Sequence, residues 1–494
     1  MEIKLLQREV PVWVSGDPVQ KQASFHAETV IPDISEDAAE IVWTRGGLFL
    51  KGKEPGLHAV TVNGEAWASI LYLTETGRLD TVRIQKEIEI VFDAETSDSE
   101  ALPQLNWYLL GVQGKLLNPR KLGVTFEVKA TLRSFMRGEA LVETVLPEDI
   151  GMRLHTLKSR NSALTITSVS EKSFTLREQV SPTGGNSALQ KIDAEELRFD
   201  GLRTEQIGNR CIVKGNMKLL VWGRDSAGMP AKEDHVIPFS QLLDCSEDPL
   251  EHSSVWIEPT SLYLDRAGES EGDRSLDVEV HAVLQLCAYS RQDVVTIRDA
   301  YSSMMPLTME VCSKTLLVAV EPGEVHLRAD GSLPVPDDMA ALLSAEAKLG
   351  ALERKDADPR IPLYLDLFYR RSDGSLAAAR RTMRLDASDI PGDADILSAN
   401  VLWITAEEVE KGIHLQAEAE LLWESAKKET VSTAALLRLE EESAWSRTES
   451  PSVSLVRRGG ESLWELAKEY RSSVELIQAV NEENAEFLLV PAEN

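Results

Sequence analysis

The chain of 494 residues is too long for one ordinary hydrophobic core, so its length predicts three or four domains. Its formal net charge of −29 argues against sequence-independent binding of nucleic acid and against attachment to anionic lipid through basic residues. Its four cysteines lie far apart without a CxxC pair, so we expect reduced thiols and no metal site.

The first ten residues contain no continuous apolar segment and no small-residue cleavage site, which predicts that no signal peptide is present. No run of 18 apolar residues occurs anywhere in the chain. We therefore expect no membrane insertion and a cytoplasmic location.

Alternation of apolar and polar residues, the period of β-strands, dominates the chain and recurs in three similar sets. Each set opens with a short apolar element, at 38–43, 188–192 and 339–343. A strand that ends near an aromatic residue and precedes a Gly-containing turn follows at 66–73, 217–222 and 361–369. Cleanly alternating strands close the sets at 124–132, 276–284 and 413–421.

The aromatic residues Tyr72, Trp222 and Tyr369 lie 150 and 147 residues apart. The same order at similar spacing predicts an internal triplication. The alternative is that an all-β protein produces such strands by chance.

These patterns predict a mainly β fold with three repeated β-sandwich-like units and a small strand-helix-helix-strand (βααβ) module. The units are assigned to 1–150, 151–305 and 306–428, and the module to 452–494. The stretch from Ala426 to Pro451 is rich in Lys, Glu, Ser and Thr, so we interpret 429–451 as a linker, in which 434–442 could form a short helix.

Two sets of polar residues predict where the helices of the module begin and end. Ser462 and Glu465 form a capping box for the first helix, and Ser472 and Glu475 are expected to form another for the second. Asn481 is expected to end the second helix in a left-handed conformation.

The module resembles a LysM domain, through the Gly-Glu-Ser-Leu start at 460–463 and the two short helices after it. LysM domains bind and do not catalyse. The residues predicted to bind a partner are Glu461, Leu463, Trp464, Asn481 and Phe487, although Leu463, Trp464 and Phe487 could instead be core residues. A shortened acidic loop at 481–487 favours a protein partner over an N-acetylglucosamine polymer.

Further segments carry a wider likeness: Pro-Asp-Ile at 32–34, Glu-Val-Lys-Ala at 127–130 and Asp-Ala-Tyr-Ser at 299–302. With the repeats and the terminal module, they resemble the SipL-type spore morphogenetic proteins, built from SPOCS domains and a LysM domain. The resemblance implies a non-enzymatic scaffold in spore coat assembly, in the mother cell at the forespore surface. Its implied partner is a stage IV sporulation protein A-type coat ATPase. The alternative function is binding of peptidoglycan or another N-acetylglucosamine polymer.

The sequence contains none of three common catalytic motifs: the eight histidines form no HExxH pair, and no phosphate-binding loop or GxSxG turn occurs. His281 and Cys287 lie on one face of a strand but are expected to be too far apart for proton transfer. We therefore expect neither an enzyme nor a bound cofactor or metal. An unrecognised hydrolase is the remaining rival.

Overall fold

The computed structural model describes residues 1–56, 58–93, 101–147, 153–182, 189–225, 228, 230–266, 275–350, 352–355, 358–409, 412–440, 452–482 and 485–493. These residues form 23 strands and two short helices, so the predicted mainly β fold is confirmed. Almost all strand pairs are antiparallel, which suits strands that carry one apolar and one polar face.

The first unit packs two sheets face to face. Its strands, with the N-terminal β1, are β1 (Glu2–Lys4), β2 (Leu6–Ser15), β3 (Val19–Val30), β4 (Ala38–Pro55), β5 (Val60–Thr74), β6 (Leu79–Phe92), β7 (Leu102–Asn118) and β8 (Lys121–Val145). Strands β4, β5 and β6 form one sheet, and β3, β8 and β7 lie in the other. A common core of Tyr72, Phe92 and Phe126 fills the space between them.

The second unit repeats this order of pairing. Its strands are β9 (Leu154–Val180), β10 (Lys191–Ile207), β11 (Arg210–Arg224), β12 (Pro230–Asp244), β13 (His252–Arg266) and β14 (Leu276–Ser302). Strands β10, β11 and β12 form one sheet, and β9, β14 and β13 form the facing layer. Three aromatic residues, Phe174, Phe199 and Phe239, pack between the two layers.

The third unit has the same order with one additional short strand. Its strands are β15 (Leu307–Leu333), β16 (Met339–Leu349), β17 (Glu353–Lys355), β18 (Asp358–Arg371), β19 (Leu376–Asp386), β20 (Asp395–Val409) and β21 (Gly412–Leu439). Strand β18 lies between β16 and β19, and β21 lies between β15 and β20. In each unit, then, the last strand is paired on both sides within one sheet, and the facing sheet is a three-stranded meander, to which the third unit adds the short β17.

Residues 429–439 are part of β21, so the predicted linker and helix are wrong for this stretch. They pair with β15 from Leu307↔Leu439 to Leu316↔Glu429, and β1 adds to the other edge. The physical reason is burial, because Ala434 and Leu437 pack against Ile3 from the other end of the chain. The remainder of the predicted linker, 441–451, lies outside the described residues.

The three units meet where their long strands continue beyond the sandwiches. Thr144, Thr296 and Thr433 occupy the same place in β8, β14 and β21, each within a Val-x-Thr sequence, and each is fully buried. The hydroxyl oxygens of Thr144 and Thr433 lie 3.1 Å apart. Asn161 Nδ2 lies 3.5 Å from Thr296 Oγ1, at the outer limit of a hydrogen bond. Beyond these threonines, Ile297 and Ala300 of β14 share a buried cluster with Ala434 and Leu437 of β21, and Leu146, just after β8, packs against it.

Polar contacts join the units around this core. Trp107 of the first unit donates its indole hydrogen to Glu258 of the second, at 3.0 Å. Ser254 of the second unit donates to Glu424 of the third at 2.7 Å, and Arg133 of the first pairs with Asp395 of the third. Each unit therefore contacts both of the others.

Candidate partner-binding surface on the C-terminal module

The C-terminal module has the predicted order of elements: β22 (Val453–Arg457), α1 (Leu463–Tyr470), α2 (Val474–Val480) and β23 (Phe487–Pro491). Its two strands pair antiparallel. Five fully buried residues form its core: Leu466, Ala467, Ile477, Leu488 and Val490.

The predicted capping box of α1 is confirmed. Ser462 accepts from the backbone N–H of Glu465 at 3.2 Å, and Glu465 Oε2 accepts from the backbone N–H of Ser462 at 2.8 Å. The second cap is one residue later than predicted, because Ser473 rather than Ser472 is the N-cap of α2. Ser472 is fully buried between the helices instead. The left-handed cap is also elsewhere: Arg471, with φ 56°, ends α1.

Asn481 follows α2 in an extended conformation and not in the predicted left-handed one. Its side-chain amide donates to the carbonyls of Ile477 and Leu489 at 2.7 and 2.6 Å. Its carbonyl oxygen accepts from the backbone N–H of Leu489 at 2.7 Å. Asn481 thus joins α2 to β23. These three hydrogen bonds give this predicted binding residue a structural role within the module.

Two other predicted binding residues lie at the start of α1. The Glu461 side chain is exposed, and its Oε2 accepts from the backbone N–H of Gly459 at 3.1 Å, which closes the turn before the helix. Gly460 within that turn has φ 110°, a conformation that favours glycine. Leu463 is half-buried and packs on the core of the module.

Trp464 is half-buried against the second unit. Its indole nitrogen donates to Asp299 Oδ2 at 2.8 Å, and the Lys468 ammonium donates to both oxygens of the same carboxylate, each at 2.8 Å. Burial raises the pKa of Asp299, but the hydrogen bonds from Lys468 and Trp464 outweigh it and hold the pKa below its ordinary value. The carboxylate is therefore kept ionised where it meets the module.

Tyr301, two residues along the same strand, completes the contact. Its hydroxyl donates to the backbone carbonyl of Ser472 at 2.8 Å, and its ring meets the Trp464 ring edge-to-face with centroids 4.8 Å apart. His155 stacks on the other side of Tyr301 at 4.8 Å and lies 2.7 Å from a carboxylate oxygen of Glu493. We call Asp299, Tyr301 and His155 the seat.

The opposite side of the module is apolar and open. Four side chains project from the outer face of its two-stranded sheet, with exposed fractions of 51% for Val453, 67% for Leu455, 50% for Phe487 and 44% for Leu489. Leu455 pairs directly with Leu489, and Phe487 pairs with Arg457. We call these four apolar residues the open face. Of the residues predicted to bind a partner, Phe487 lies in it.

Sequence reasoning missed the seat and three of the four open-face residues. Val453, Leu455 and Leu489 alternate with the core residues Val456, Leu488 and Val490, so both faces of each strand carry apolar side chains. A sheet with one face in water requires apolar side chains only on the face that packs on the core, so the apolar residues of the outer face are additional.

Two clusters elsewhere have the residue types of catalytic or metal sites. His252 presents the same nitrogen to Glu424, at 3.2 Å, and to Ser254, at 3.4 Å. A catalytic relay instead needs the two ring nitrogens to serve different partners.

Burial raises the pKa of the Cys287 thiol to about 12, which suppresses its reactive thiolate.

The other cluster, Glu324, His326 and Glu420, is largely exposed on the third unit. The hydrogen bond to Glu324 raises the pKa of His326. A proton therefore competes with a metal ion for this imidazole.

No protein-family model, curated protein or solved structure matches this chain. Neither helix in the described part of the chain is long and apolar enough to cross a membrane.

Proposed function

We propose that this protein is a non-enzymatic binding scaffold in which three related β-sandwich units carry a LysM-like module that docks on a protein partner. The observation that carries the proposal is the open face of the module. Four large apolar side chains on a sheet of only two five-residue strands form a concentrated hydrophobic surface, of the kind that marks interaction sites.

The triplicated units are the proposed scaffold. Their support is the threefold recurrence of the pairing order and the equivalent placement of Thr144, Thr296 and Thr433. Chains built from copies of one module commonly act by presenting surfaces.

The partner is proposed from the resemblance to SipL-type proteins. It is a stage IV sporulation protein A-type coat ATPase, on the forespore surface within the mother cell. Because such a partner polymerises, many modules bound to one polymer would gain apparent affinity from their high effective concentration. A modest affinity at each open face is then sufficient for assembly.

Co-purification of the full chain with the coat ATPase of the same organism tests the proposal. Leu455→Asp and Phe487→Asp place charges on the open face and are expected to reduce capture at least about tenfold, since each charge would be desolvated in the complex. The matched control is Val236→Asp, at a position 57% exposed on β12 of the second unit, which should leave capture unchanged.

Capture that survives both open-face substitutions would refute docking through this face. Binding of insoluble peptidoglycan by the full chain, with no binding of the ATPase, would favour the glycan-binding alternative.

A further inference from the structure

The seat presents a short linear motif to the module. Asp299 and Tyr301 are two residues apart near the end of β14, so their side chains share one face of the strand. The acidic group meets two donors, Trp464 and Lys468, and the phenol meets a carbonyl and an aromatic ring. We call the residues of the module that make these contacts, Trp464, Lys468 and Ser472, the covered face.

Each contact depends on a particular side-chain chemistry. The covered face offers one indole N–H and one ammonium to the acid, and a charge-assisted bond of this kind discriminates a carboxylate from an amide. The Ser472 carbonyl can only accept, so it selects a hydroxyl over a plain phenyl ring. Together they define a site for an acidic residue followed two positions later by tyrosine.

The module does not need the seat for its own core. Its buried cluster contains Leu466, Ala467, Ile477, Leu488 and Val490, and among the described residues Tyr301 is the sole buried contributor from the rest of the chain. The module therefore supplies most of its own core, to which the seat adds one aromatic ring.

The seat is specific to the second unit. With Thr144, Thr296 and Thr433 in register, the residues that correspond to Asp299 are Pro147 in the first unit and Leu436 in the third. Neither can accept a hydrogen bond through its side chain. The module therefore contacts the second unit because of these side chains and not because of the architecture that the units share.

We propose that the covered face is a recognition site for extended segments of the form Asp-x-Tyr, which the second unit occupies within its own chain and for which an external Asp-x-Tyr segment competes. This site is separate from the open face. Loss of partner capture on open-face substitution and loss of Asp-x-Tyr recognition are therefore independent outcomes.

The test uses the full chain with Asp299→Ala and Tyr301→Phe, which remove the acid and the phenol but keep the ring against His155. The probe is the peptide Ile-Arg-Asp-Ala-Tyr-Ser, the sequence of residues 297–302, and the comparison peptide is Ile-Arg-Asn-Ala-Phe-Ser. The readout is the indole N–H resonance of Trp464, assigned from a Trp464→Phe sample. Asp293→Asn, at an exposed position of the same strand, is the matched control.

The resonance should shift in the double variant, return when the Asp-x-Tyr peptide is added, and stay in place in the control. The wild-type chain should need at least about tenfold more peptide, because its own segment is present at a high effective concentration. An unshifted resonance in the double variant would overturn the proposal. So would equal responses to the two peptides, or equal responses of the variant and wild-type chains.

Discussion

Glu258 should make the stability of this protein fall as the pH rises through neutrality. Its carboxyl is half-buried between the first and second units, where it accepts a hydrogen bond of 3.0 Å from the Trp107 indole. Burial raises its pKa from 4.5 to about 8, and the hydrogen bond from Trp107 and the charge of Lys53 offset only part of that effect.

The sign follows from the order of the two pKa values. Between pH 4.5 and about 8, the unfolded chain has lost this proton while the folded chain retains it, so stability declines as the pH rises. At about 1.4 kcal/mol for each pKa unit, the full shift corresponds to roughly 5 kcal/mol. The side chain keeps partial access to water, so we expect about 2 kcal/mol.

Glu258→Gln removes the titration but keeps an oxygen that can accept from Trp107. The variant should match the wild type near pH 4.5 and exceed its stability by about 2 kcal/mol at pH 9, as measured by urea unfolding at several pH values. Glu251→Gln is the control of opposite sign, because the hydrogen bond from Arg291 lowers the pKa of exposed Glu251. A Glu258→Gln variant that is less stable than the wild type by the same amount at every pH would refute this reasoning.

Three further outcomes test the packing. Thr144→Val leaves the buried hydroxyl of Thr433 without its partner and should lower the free energy of unfolding in urea by about 1–2 kcal/mol. Replacing both threonines by Val should be nearly neutral, and equal losses in the single and double variants would contradict the pairing. Gly64→Ala brings a Cβ within 2.2 Å of the Trp107 ring, so we expect the free energy of unfolding to fall by about 1–3 kcal/mol and the Trp fluorescence to change. Unchanged stability and fluorescence would contradict the close contact. Asn481→Ala removes three hydrogen bonds and should speed amide hydrogen exchange in β23, with the free energy of unfolding of the module lowered by about 2 kcal/mol. Unchanged exchange would show that the side-chain amide does not join α2 to β23.

Local signals were most reliable where one short segment contains the whole interaction. The capping box of Ser462 and Glu465 was predicted correctly because both partners lie within four residues. The same rule placed the second cap at Ser472, but that side chain is buried, and Ser473 caps the helix instead. A pattern of residue types does not reveal which of two adjacent serines faces the helix end.

The stretch 429–439 shows the limit of composition. Its Glu, Ser and Thr residues are typical of a linker, yet it forms the end of a 28-residue strand. Its partners are β15, more than a hundred residues earlier, and β1 at the other end of the chain. Pairing over such distances depends on the folded units and leaves no local mark.

The sequence by itself determined the period-two strands and the strand-helix-helix-strand order of the C-terminal module, because each follows from the spacing of apolar residues along a short segment. The tertiary structure decided which side of the module is free. Trp464 and Phe487 are both aromatic residues in one small domain, but Asp299 and Tyr301 cover the first and leave the second half exposed. The reason is that exposure depends on what the rest of the chain brings to a surface, and the seat lies more than 160 residues away in the sequence.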